Sequence, residues 1–474
     1  MARRPRPTRT DARLLVGDCL ERLPELPANY ADAMVTDPPS GRNFGDHDWD
    51  RFGPERNGSA TPEALESYRK FLTRAFEQCW RVLKPGAFAA VWAFPRTSHH
   101  TAIALEDAGF ELRDVVTHHY ATGAPKSRCP GEWVDRSPTA DAGEWASWIS
   151  TMRESHDFTR EALADQLGHG VTAEQVAAWE RGNKLPTSRQ RMRLTKLSGL
   201  DGYVTSSAKQ WEGSGTALKP ATEFWLLARK PLEGGDLGQN ALRWGTGALR
   251  VDAVRTAPDG TVDPSGRWPT NLVMTHGAGC GVVASKRVKT AMPAIRERDW
   301  GSAGGANGWG RGREIGRGDP QTPSMETVPV WDCEEGCPVR LVESQGAREG
   351  TTRYFPAFRL EPGDTLGDLV RFLPKTASRE HPVVPSGLRH PTAKSLPLIR
   401  WLVRLVTPPG GRVLDPFLGS GSTAEAAMVE GFDWVGCEMC DGTPDPATRT
   451  PRPDYVSLIM ARVERARLGE SPGQ

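Results

Sequence analysis

The segment Asp415-Pro416-Phe417-Leu418-Gly419-Ser420-Gly421-Ser422 follows a short apolar strand, Arg412–Leu414, and runs into a helix expected over Thr423–Glu430. A glycine-rich turn between a strand and a helix narrows the fold sharply. Its glycines let the backbone approach a ligand closely, and the helix start offers N–H groups without internal partners. Such turns belong to open α/β sheets, where ligands gather at the carboxyl ends of the strands. Glu438, closing the next strand (Trp434–Cys437), stands where it can accept hydrogen bonds from ribose hydroxyls. Alone, Gly419-x-Gly421-x-x-Ala424 also fits a dinucleotide fingerprint, and a bare tight turn fits it equally.

Far earlier in the chain, Asp37-Pro38-Pro39-Ser40 closes the apolar strand Ala31–Thr36. Two prolines cannot continue a ladder, so they hold Asp37 rigidly at the sheet's carboxyl edge. The plainer alternative is a Pro-Pro turn capped by its aspartate. The surrounding rhythm alternates strand and helix. Arg13–Val16 is a strand ending in Gly17-Asp18. A helix over Leu65–Leu83 is expected to stop at Lys84-Pro85-Gly86. Strand Ala87–Phe94, helix Thr101–Ala108 and strand Phe110–Tyr120 follow. Strand Glu223–Ala228, helix Leu396–Val406 and a final helix Tyr455–Arg467 complete the pattern, which is that of an α/β sheet with helices on both faces.

Lys and Arg number 60 against 59 Asp and Glu, which excludes a globally basic polyanion binder. Any contact with nucleic acid must come from a local patch. The longest apolar stretch, around Phe88–Phe94, is far shorter than the ~20 residues of a spanning helix. The basic start, MARRPRPTRT, leads into no apolar run, so no secretory signal is expected and the cytoplasm is the expected location. Eight cysteines among 474 residues make no disulfide scaffold, and in a reducing compartment clustered ones bind metal or pack as small apolar groups.

Taken together, the two motifs resemble the catalytic and cofactor motifs of amino-group DNA methyltransferases that use S-adenosylmethionine. Their order, catalytic first and cofactor last, resembles the circularly permuted class. Gly17-Asp18-Cys19-Leu20 is similar to the family segment whose acid contacts the cofactor's adenine, and His390-Pro391-Thr392-Ala393-Lys394 to the segment beside its methionine end. Residues 12–126, 211–294 and 331–440 look like phage-type DNA methylases. The resemblance implies a Rossmann-like methyltransferase sheet, built from 12–120, 216–231, 389–440 and 454–468, after a basic tail (1–11). It implies cofactor contacts from Asp18, Thr392, Lys394, Asp415, Phe417, Gly419, Ser420, Gly421, Ser422 and Glu438, and a catalytic set Asp37, Pro38, Pro39 and Ser40. Direct methyl transfer to an exocyclic amine then follows. Carbon-5 methylation would need a cysteine after a proline, and no cysteine here follows one. The family's fourth catalytic-motif residue is commonly aromatic and stacks on the extruded base. Here it is Ser40, so Phe44 or Trp49 is the expected substitute ring.

Two insertions interrupt the sheet pattern. The first, 121–215, contains a segment (157–200) similar to the helix-turn-helix of repressor-type proteins, with a candidate recognition helix over Ala173–Arg181. Arg181, Lys184, Arg189, Arg191, Arg193 and Lys196 form a run with no acidic residue, a candidate phosphate-binding patch. A structural helix pair with a solvated basic face is the alternative. The second insertion, 232–388, is the candidate target-recognition region. It contains Trp268 and an expected mobile loop at 296–318, rich in Gly, Arg and Trp. It also holds His276-x3-Cys280 and Cys333-x3-Cys337, which offer four donors for one structural zinc, simple buried thiols being the alternative. The final helix follows a Pro- and Thr-rich loop (441–453).

The function expected is methylation of duplex DNA on a flipped base, adenine N6 placed ahead of cytosine N4. A separate restriction endonuclease and a homodimer are the partners considered, and no membrane. Two alternatives stand beside it: a catalytically silent methylase fold acting as a DNA-binding regulator, for which Ser40 speaks, and a nicotinamide-dependent oxidoreductase, which leaves Asp37-Pro38-Pro39 unexplained.

Overall fold

The computed structural model describes residues 11–43, 47–53, 61–119, 129–136, 141–168, 170–198, 205–218, 221–255, 268–275, 280–289, 296–298, 312–314, 325–333, 337, 339–340, 357–358, 384, 386–444 and 452–469. The chain forms two compact units, one of residues 1–123 with 221–474 and one of residues 124–220.

The larger unit is built on a nine-stranded sheet. In chain order the described strands of this unit, nine of them in that sheet, begin with β1 (Ala12–Val16), β2 (Ala31–Thr36), β3 (Leu83–Ala93), β4 (Glu111–His119), β5 (Thr222–Arg229) and β6 (Leu272–Thr275). They continue with β7 (Gly281–Lys289), β8 (Arg296–Arg298), β9 (Gly312–Glu314), β10 (Met325–Asp332), β11 (Ala357–Phe358), β12 (Arg412–Asp415) and β13 (Asp433–Glu438). Across the sheet the order is β1-β13-β12-β2-β3-β5-β4-β6-β11, and β5 alone runs antiparallel to its neighbours β3 and β4. The late strand β12 therefore lies directly beside the early strand β2.

Burial on both faces explains why the central strands read as near-continuous apolar runs. In β3, Phe88, Ala90 and Trp92 face one apolar cluster, and Ala89, Val91 and Ala93 face the other. The first cluster is completed by helices Leu396–Val406, Ser422–Val429 and Tyr455–Leu468, the second by helices Pro62–Val82 and Ser98–Asp107. Glu425, buried on the glycine-loop helix, accepts hydrogen bonds from Arg462 and Arg465 and so ties the final helix to it.

Helix Pro62–Val82 opens with Thr61 as its cap and Pro62 in its first turn. It ends at Val82 with Leu83 as its cap, within a residue of the expected end, but the next strand starts earlier than the expected Ala87: Leu83 already pairs with Ala31, so Lys84-Pro85-Gly86 lie inside β3, at a register shift where Gly86 takes φ +78°. In the second insertion β7 and β10 form an antiparallel ribbon, while β6 and β11 extend the edge of the main sheet. The described parts of 296–318 are paired strands, β8 with β9, rather than loop.

The smaller unit is helical: Gly131–Arg136, Ala142–Ser155, Arg160–Leu167, Ala173–Glu180, Ser188–Leu197 and Ser206–Lys209. Trp145, Ile149, Leu163, Val176, Trp179 and Leu194 are among its buried centre. Capping boxes at Thr172/Gln175 and Thr187/Gln190 start two of the helices.

Candidate active site

Strands β1, β13, β12 and β2 are parallel and adjacent. Val16 pairs with Glu438, Asp415 with Gly436 and Leu414 with Met34. Asp18, Glu438, Asp415 and Asp37 consequently leave the sheet along one carboxyl edge. The decisive contact joins the two motifs: the Thr36 hydroxyl donates to Asp415 Oδ1 at 2.7 Å, in the interior.

Asp415 also accepts the Phe417 N–H at 3.0 Å. Burial pushes its carboxyl up to about 7, against the hydrogen bonds from Thr36, Thr423 and Phe417 that favour its ionised form. Its work is to pin the glycine loop onto β2. Phe417 turns towards Phe71, with ring centroids 6.0 Å apart, and packs with the second apolar cluster.

The loop itself requires glycine. Gly419 and Gly421 take φ +53° and +81°, and a Cβ on Gly421 would sit 3.0 Å from the Ile459 backbone. Gly421 starts helix Ser422–Val429 with no side-chain cap. Ser420 and Ser422 are buried beside it. Glu438 accepts the Gly419 N–H on Oε2 at 2.8 Å and the Cys440 N–H on Oε1 at 2.7 Å. Burial pushes this carboxyl too up to about 7, against those two bonds and one with the Cys440 side chain. Asp18 caps helix Cys19–Arg22 by accepting from the Leu20 N–H at 2.8 Å.

The catalytic motif is held from several sides. Lys394 Nζ donates to Asp37 Oδ2 and lies 4.0 Å from the Trp92 ring centroid. The Tyr68 hydroxyl donates to the Pro39 carbonyl at 3.1 Å and the Thr97 hydroxyl to the Ser40 carbonyl at 2.7 Å. The Ser40 hydroxyl donates to Asp50 Oδ2 at 2.6 Å, and Gly41 N–H to Asp50 Oδ1 at 2.7 Å. Asp50, fully buried, fixes the chain after the prolines.

Thr392 bonds His390 Nδ1 through its N–H at 3.3 Å. His390 stacks on Trp49 and tilts over Tyr455, with centroids 4.4 Å apart. Trp49 thus packs with Val384, Cys440 and Tyr455, on the glycine-loop side. Phe44 and His276 lie outside the described residues. Cys280, Cys333 and Cys337 converge.

Sequence reasoning missed Thr36, Asp50, Tyr68, Trp92 and Thr97. Thr36 carried a signal, as the last strand residue before the prolines. Asp50, on the single turn Asp48–Asp50, carried none.

The basic run of the smaller unit needs correction. Arg181, Lys184, Arg189 and Lys196 are exposed. Arg191 is buried over the Trp145 ring, 5.5 Å from its centroid, and is a core side chain. Arg193 donates to the Leu167 carbonyl and so closes the end of helix Arg160–Leu167. Neither is part of a solvent-facing patch.

Residues 31–443 match the DNA methylase family, the N6/N4 methyltransferase group. The chain belongs to that family. The methylase is 22% identical over 247 residues to the type II methyltransferase M.HindIII of Haemophilus influenzae, covering 44% of this chain and 77% of that one. It is 23% identical over 448 residues to the type II methyltransferase M.SfiI of Streptomyces fimbriatus, covering 90% and 88%. Among solved structures, the PvuII DNA methyltransferase, described as cytosine-N4-specific, aligns over 98% of this chain and 96% of its own with 12% identity and a TM-score of 0.39. The methylase is an enzyme acting on DNA. Among the described residues no helix is long and apolar enough to cross a membrane.

Proposed function

We propose that this methylase transfers a methyl group to the exocyclic amine of a base turned out of duplex DNA, adenine N6 ahead of cytosine N4. The Thr36–Asp415 hydrogen bond carries the reading, since it sets the Asp37 motif beside the glycine loop.

The loop suits the donor, because side chains at 419 and 421 would close the cradle against His390 and Ile459. Gly419, Ser420, Gly421 and Ser422, with Thr392 beside them, would hold the methionine end. Glu438 would take the ribose and Asp18 the adenine, while Asp415 and Phe417 shape the loop. S-adenosylmethionine, when bound, supplies an electrophilic methyl on sulfur.

The remaining chemistry falls to the chain. An exocyclic amine is a poor nucleophile because its lone pair is delocalised into the ring. Asp37 and the Pro38 carbonyl accept its two N–H groups, which draws the nitrogen towards tetrahedral geometry and stabilises the charge developing on it. Asp37 then takes the proton that the methylated nitrogen sheds. Lys394 orients that carboxylate rather than reaching the donor. The base must be flipped to reach this edge. With Ser40 engaged by Asp50 and Trp49 by His390, Phe44 is the ring proposed to stack on it.

Arg181, Lys184, Arg189 and Lys196 are proposed to contact phosphate through the helix-turn-helix-like segment, and 232–388 to read the target. A separate restriction endonuclease fits the type II relatives, and a cytoplasmic site of action fits the substrate. The test is transfer of labelled methyl to DNA, followed by nucleoside digestion to identify the modified base. Equal incorporation by wild type and Asp37→Ala would remove the assignment.

A further inference from the structure

We propose that Cys280, Cys333 and Cys337 hold a structural zinc ion outside the methyl-transfer site. Their three sulfurs lie within 4.8 Å of one another. Tetrahedral zinc with Zn–S bonds of about 2.3 Å sets sulfurs about 3.8 Å apart, which lies within that limit. Three convergent thiols also argue against a disulfide, which would leave one sulfur over, and no disulfide joins any of them.

The fold builds this cluster at one end of a ribbon. Cys280 immediately precedes β7 and Cys333 immediately follows β10, and the last pairing of that ribbon joins Gly281 to Asp332. Pairing therefore sets the two cysteines side by side although a long stretch of chain separates them. Cys337 is fully buried, and Arg340 donates to the Cys333 carbonyl at 2.8 Å. Cys19, Cys79 and Cys437, in contrast, pack among the aliphatic side chains of the main core.

The need for a staple is physical. A two-stranded ribbon is marginal in water, and among the described residues the apolar cluster around these sulfurs is small: Met274 and Val339, with Leu272 and Trp331 at its margin. Each coordinating thiol releases its proton to solvent as the metal binds, so binding energy becomes folding energy for this region. One coordination position is left for a fourth donor. Soft thiolate ligands in a tetrahedral set select zinc over magnesium or calcium.

The test uses the full chain, reduced and purified without a metal-chelating tag. Elemental analysis should find about one zinc per chain, and added cobalt should give the absorption of a tetrahedral thiolate complex. Cys280→Ser, Cys333→Ser and Cys337→Ser should each lower retained zinc at least tenfold, while Cys129→Ser retains it. In wild type, alkylation at these three cysteines should be slow and become fast on adding a chelator. This last measurement needs no variant to fold. A reduced wild-type chain that binds neither zinc nor cobalt, zinc retained by the three serine variants, or chelator-independent alkylation would each overturn the proposal.

Discussion

Lys394 Nζ bonds the Asp37 carboxylate while lying 4.0 Å from the Trp92 ring centroid, with 5% of its side chain exposed. The group proposed to act on the base is thus one half of a largely buried ion pair. Removing the Asp37 carboxylate leaves the buried Lys394 ammonium poorly compensated, at a cost of roughly 1–3 kcal/mol once the partial exposure of the pair is discounted. Asp37→Ala should abolish methyl transfer and lower stability. Asp37→Ala combined with Lys394→Met should recover the stability but not the activity. Thermal unfolding beside a methyl-transfer assay separates these effects, and recovered activity in the double variant would refute the catalytic role of Asp37.

Asp50 should matter although it touches no reacting group. It accepts from the Ser40 hydroxyl and from the N–H groups of Gly41 and Arg42. Asp50→Ala leaves these donors without their acceptor, costing roughly 1–3 kcal/mol, and loosens the chain after the prolines. The expected signature is a higher KM for DNA, with Asp50→Asn milder because its amide oxygen still accepts. Steady-state kinetics on both variants decide this.

The two buried carboxyls give a pH dependence of definite sign. In the unfolded chain both lose their protons near pH 4, whereas in the fold Asp415 and Glu438 hold theirs to about 7. Between those limits the folded chain binds more protons, so their contribution to stability falls as pH rises from about 4 to 7 and is level above. Asp415→Asn should flatten the decline in Tm between pH 5 and pH 8 relative to wild type. An unchanged decline would show that the Asp415 carboxyl does not retain its proton.

The smaller unit offers a test by substitution class. Arg189→Ala with Lys196→Ala removes two exposed charges and should weaken DNA binding while reducing the salt slope by about 0.9 per lost phosphate contact. Arg191→Ala should instead lower thermal stability, because it empties the space over Trp145, and leave the salt slope as it was. Fluorescence anisotropy at several salt concentrations reads both.

What was legible in the sequence follows from where the constraint is local. Pro38 and Pro39 fix the backbone wherever they stand, and Gly419 and Gly421 open the left-handed region that a tight turn uses, so both motifs announced their turns. The contact between Thr36 and Asp415 depends on β2 pairing with β12, and no local pattern states a pairing. Charge counted along the chain also misled. Arg191, Leu194 and Ser198 share one helical face and are all buried, so a basic residue in a basic run became part of a core. Likewise Lys84-Pro85-Gly86 marked the helix end to within a residue but hid the start of β3, which pairs with Ala31 from Leu83 onward.

The place of β12 between β13 and β2 has a consequence during synthesis. Until Arg412–Asp415 leave the ribosome, β2 presents an open edge, and nascent chains with open edges invite wrong partners. Translation that stalls before that point yields no reduced version of the enzyme, only a half-sheet with an unfinished seam.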